Sequence, residues 1–134
     1  MRTNVAVLFA GLAILIAAMP VRAHHAFAAE FDAKKPIKLQ GTVAKMEWIN
    51  PHTWIHIDVK RPNGKVERWM IEGGPPNALY RRGFTRDSLP IGIEIVVEGF
   101  QARNGQAVAN ASNITFTDGR RLFAGSPAGP SQPR

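Results

Sequence analysis

The most regular alternation in the chain runs from Thr53 to Lys60. Ile55, Ile57 and Val59 fall on one face of a strand, and Trp54, His56 and Asp58 fall on the other. A strand before it carries the same period of two: Ile37, Leu39, Gly41 and Val43 alternate with Lys38, Gln40, Thr42 and Ala44, and the run continues to Ile49. Gly41 interrupts the apolar face, as a bulge or a sharp coil requires. Asn50-Pro51 separates the two strands, because proline has no N–H for a ladder. Asn63-Gly64 predicts a type I′ hairpin turn, from which Val66 to Gly73 return as a third strand. Pro75 and Pro76 open a short helix over Asn77 to Arg82, which Gly83 closes. Ile93 to Arg103 and Val108 to Thr117 supply two more strands, joined at Asn104-Gly105, and Asp118-Gly119 turns the chain again.

Three strands, one short helix and two strands are the order of an OB-like small Greek-key barrel. The expected fold is therefore all-β with a helix between strands three and four. A five-stranded open sheet crossed by the helix is the competing arrangement. Gly41 and the length of the first strand favour closure.

Outside residues 37–123 the patterning fades. Arg2 followed by the uncharged run Val5 to Met19 reads as a secretory signal, and the run is shorter than the roughly 20 apolar residues that span a bilayer. Val21-Arg22-Ala23 places cleavage after Ala23 and makes His24 the mature N-terminus, while Ala26-Phe27-Ala28 offers a second site after Ala28. The implied protein is periplasmic or secreted, with no membrane span left after processing. Residues 24–36 lack a strand period and predict an arm lying along the domain. Residues 124–134 are rich in Pro, Gly and Ser and predict a disordered tail.

Composition then removes several kinds of chemistry. With no cysteine among 134 residues there is no disulfide scaffold, thiolate metal site or cysteine nucleophile. The formal charge of +7 falls when Arg2 and Arg22 leave with the signal, and the remaining basic residues are scattered apart from Arg81, Arg82 and Arg86. Nucleic acid is therefore a poor fit as a partner. The chain contains no Gly-x-Ser-x-Gly elbow, phosphate-binding glycine loop or His-Glu-x-x-His helix, so no enzyme is expected.

What remains is a set of histidines and aromatic residues. His24 and His25 sit together at the expected mature start, while His52 and His56 flank Trp54. A free α-amine and imidazoles suit copper first, then zinc or nickel. His24 and His25 would be the primary ligands, His52 or His56 would complete the site, and Trp48 and Trp54 would wall it. Asp58 could orient His56, and Glu47 and Asp58 could meet as a carboxylate pair across strands one and two. Phe27 or Phe31 of the arm could instead cover Trp54. The other reading is a protein-interaction or envelope-accessory module that meets a partner chain through Trp54, Arg81 and Arg82.

The segments HHAFAAEFDA, KLQGTVAKMEWINPH, GGPPNALYRRGFTRDSL, VVEGFQARNG and ANASNITFTDGRRLF together resemble a family of short secreted bacterial proteins of unknown function. The resemblance implies export and a single small β domain, and it favours processing at Ala23. It carries no activity, cofactor or catalytic residue with it.

Overall fold

The computed structural model describes residues 27–125. Residues 27–30 are helical and lead into six strands, β1 (Phe31–Glu47), β2 (Trp54–Lys60), β3 (Val66–Glu72), β4 (Glu94–Ala102), β5 (Val108–Phe116) and β6 (Arg121–Phe123), with helix α1 (Pro76–Tyr80) between β3 and β4. The long first strand serves two neighbours. Its residues Pro36 to Thr42 pair with β4 and Thr42 to Glu47 pair with β2, so Thr42 faces both Glu94 and Asp58. A parallel pairing of β3 with β5, from Met70 with Val108 to Glu72 with Asn110, closes the ring. The circuit β1-β2-β3-β5-β4 is the OB-like barrel, and β3–β5 is the contact that excludes the open sheet.

The alternation of β2 survives intact: Ile55, Ile57 and Val59 are buried inside with Val43, Ile71 and Val97. Leu79 of α1, with Phe84 and Leu89 after it, adds fully enclosed apolar bulk to the same core. Gly41 lies where β1 leaves β4 for β2. A Cβ there would stand 2.9 Å from the carbonyl oxygen of Asp58, so a side chain would force the coil apart. The irregularity itself falls two residues later, between Val43 and Lys45.

Several expected boundaries move. β1 begins at Phe31 rather than Ile37, because Phe31 pairs with Ala102 and is buried, so the end of the expected arm belongs to the sheet. The third hairpin strand of the sequence, β3, ends at Glu72. The 61–64 turn is not type I′: among the described residues only glycines have positive φ, and in this turn Gly64 alone does, at 81° with its N–H bonded to the Arg61 carbonyl at 2.9 Å. Type I′ needs two such residues, so the turn is of the kind that places one glycine in the left-handed region. β6 was not expected from three residues of weak pattern; it pairs with Asn113 to Thr115 beyond the stretch of β5 that closes the ring.

Candidate functional site

One row of residues passes across every strand of the barrel. In register order it is Pro36, Phe100, Asn110, Glu72, Trp54 and Glu47, which returns to β1. Trp54 and Glu72 alternate with inward Ile55 and Ile71, so this row points out of the barrel. Outward polar residues normally meet water. Glu72 and Asn110 are nevertheless buried, at 6% and 3% exposure.

The segment at residues 27–31 lies beside this row, against Phe100. Phe27 sits edge-on to Phe100 with ring centroids 6.0 Å apart and packs on Phe31 at 5.6 Å. Arg103 holds the backbone in place: its N–H donates to the Glu30 carbonyl at 2.9 Å and its Nε to the Ala28 carbonyl at 2.5 Å. Burial pushes the Glu72 carboxyl above its ordinary range; His52 opposes that shift, nearby Glu30 adds to it, and the Asn110 amide, donating at 3.4 Å, also opposes it.

His52 belongs to the β1–β2 loop, which is tied to the end of β3. Thr53 is buried and exchanges backbone hydrogen bonds with Gly73 and Gly74, and its hydroxyl donates to the Gly74 carbonyl at 3.1 Å. That tie aims Nδ1 of His52 at the Gly73 carbonyl, 3.3 Å away, and at Oε1 of Glu72, 3.2 Å away. A carbonyl can only accept, so in the tautomer that makes this bond Nδ1 is the donor. Nε2 has no partner among the described residues, and the side chain is 36% exposed.

His56 is held differently. Its Nε2 lies 2.8 Å from Oε2 of Glu47, whose Oε1 accepts from Lys45 Nζ at 2.8 Å. These two contacts, Lys45 first, draw the Glu47 carboxyl below its usual range. Asp58 does not orient His56: it accepts both Nε and Nη2 of Arg68, at 2.7 and 2.9 Å, and that pairing lowers its carboxyl. Glu47 stands opposite Trp54 while Asp58 stands opposite Thr42, so the expected carboxylate pair does not form.

The two central tryptophans separate. Trp48 stacks on Phe84 at 5.9 Å and 5° and packs against the core, so it does not wall a site with Trp54. Trp54 lines a half-open cleft of about 310 Å³ together with Ala29, Glu30, Phe31, Ala102, Arg103, Asn104, Gln106 and Val108. Phe31 therefore borders Trp54 without stacking on it, and the indole N–H of Trp54 has no acceptor among the described residues. Of the arginine group, Arg82 lies over the Phe123 ring at 4.4 Å and donates to the Gly125 carbonyl at 3.0 Å, whereas Arg81 is exposed.

His24 and His25 lie outside the described residues. Among the described residues, no three His, Cys, Asp or Glu side chains are grouped so as to hold a metal ion, and His52 and His56 are turned to different carboxylates. Sequence reasoning missed Glu72 and Glu30. Glu72 ends an alternating strand on the polar face, and nothing in that pattern announces that it is buried.

A family model described as Family of unknown function (DUF6152) matches residues 12–111. No curated protein matches the chain.

Proposed function

The chain belongs to that family of unknown function, so no activity comes with its fold, and we propose from the site that it is an exported, non-enzymatic binding module for one transition-metal ion. Copper is the favoured ion and zinc the second. The observation that carries the reading is His52. A ring whose Nδ1 faces the Gly73 carbonyl and the Glu72 carboxyl, with Nε2 unpartnered among the described residues on a side chain that is 36% exposed, is the arrangement that orients metal-ligating histidines.

The N-terminal segment supplies the remaining ligands. Glu30 is close enough to Glu72 to raise its carboxyl, and Glu72 touches His52. His25 precedes Glu30 by five residues, a span of at most about 18 Å when extended. A chain of that length does not forbid His24 and His25 from meeting His52. Processing after Ala23 would add the α-amine of His24, and nitrogen donors of this kind rank copper highest. His56 is the weaker candidate for the third position, since Glu47 engages its Nε2.

The test uses protein exported from its host and purified without chelator, titrated with Cu(II) under calorimetry and electron paramagnetic resonance. One equivalent should bind with nitrogen superhyperfine structure. Replacing His24 and His25 together should abolish the site, and His52→Ala should weaken it by at least about tenfold. A dissociation constant weaker than about 1 μM, or affinity indifferent to all three histidines, would sink the metal reading. In that outcome Trp54 and Arg81 remain as the surface for a protein partner.

A further inference from the structure

The cleft beside Trp54 takes no part in the metal site, and its lining has a chemistry of its own. Trp54 is half-buried and lines about 310 Å³ of half-open space, and its indole N–H has no acceptor among the described residues. Phe31 and Val108 make part of the wall apolar. The rim mixes polarities. Glu30 is exposed with a carboxylate that accepts only. Arg103 spends Nε on the Ala28 carbonyl and keeps its terminal nitrogens as donors. Asn104 is set by accepting the Gln106 N–H at 3.0 Å, which leaves its NH2 as a donor, and the Gln106 amide offers both roles.

We propose that this cleft binds one neutral pyranose ring of a glycan, with the apolar face of the sugar on Trp54 and its hydroxyls on Glu30, Arg103 and Gln106. A hydroxyl both donates and accepts, so it satisfies an acidic, a basic and an amide group at once. A phosphate would meet Glu30, with the Glu72 carboxyl close behind, and a cation would meet Arg103; the mixed rim disfavours both. The volume lies at the small end of ligand clefts, which suits a single ring. Its location is also apt: the start of β2 and the β4–β5 loop border the face on which OB-type barrels take oligosaccharides and oligonucleotides.

Saturation-transfer NMR on the full exported chain, with chelator present so that no metal contributes, tests this. The probes are glucose, N-acetylglucosamine and adenosine monophosphate. At least one sugar should bind with a dissociation constant of about 1 mM, and more tightly than the nucleotide. Trp54→Ala should weaken it by at least about tenfold, while Trp54→Phe keeps most of the stacking and most of the affinity. Gln106→Ala, on an exposed loop, should weaken it about threefold or more, and His52→Ala should leave it unchanged. No transfer from either sugar at about ten times the expected constant overturns the proposal. So does preference for the nucleotide, or affinity indifferent to Trp54→Ala in a folded variant.

Discussion

Replacing Phe31 by alanine tests whether the N-terminal segment is what buries Glu72. Phe31 is 2% exposed, is the paired partner of Ala102 at the first position of β1, and carries Phe27 on its ring. Deleting a buried phenylalanine side chain costs about 3–5 kcal/mol, and the half-open cleft beside it, which lets neighbours relax, puts the expectation at about 3 kcal/mol. The second effect is electrostatic. Burial is the largest cause of the raised Glu72 carboxyl, so loosening the cover should bring it down toward its ordinary value of 4.5. The sign follows from linkage: a carboxyl raised on folding favours the protonated native state. Its contribution to stability is complete below the unfolded value and is lost as pH rises through the folded one. The native protein should therefore lose stability across that interval above pH 4.5, and Phe31→Ala should flatten the loss. Urea titrations at a series of pH values give the first quantity, and carbon-13 NMR of the Glu72 carboxyl gives the second. A variant that is destabilised yet leaves the Glu72 titration where it was would refute the reasoning, since another element would then be doing the covering.

Two further substitutions separate core from site. A Cβ on Gly99 would collide with the carbonyl oxygen of Asn110 and come within 3.1 Å of the Ala111 Cα, so Gly99→Ala should cost about 3 kcal/mol or prevent folding; an unchanged thermal midpoint would mean that β4 and β5 can separate freely there. Trp48→Ala removes the ring stacked on Phe84 and should cost about 2–3 kcal/mol in denaturant while leaving copper and sugar affinity intact, whereas a loss of affinity without a loss of stability would return Trp48 to the site.

Local pattern made the strands and the outward placement of Trp54, His56 and Asp58 legible, because side chains on a strand alternate with period two whatever the strand packs against. The order of elements also pointed to the barrel. Partners were not legible. Asp58 stands two residues from His56 on one face, yet the register brings Arg68 opposite it and sends His56 to Glu47. Trp48 and Trp54 are close in sequence but part at the Asn50-Pro51 turn, one toward the core at Phe84 and the other into the cleft.

By itself, then, the sequence determined the five strands of the barrel apart from the start of β1, which face is apolar, where the hairpins turn and which residue types are available for chemistry. These depend on interactions within a few positions of the chain. Tertiary structure alone decided that β3 pairs with β5, that Phe27 packs on Phe100, and that Glu72 and His52 come together. Burial and hydrogen-bond partnership across 20 or more positions depend on how separate strands are brought together, and no local period encodes that.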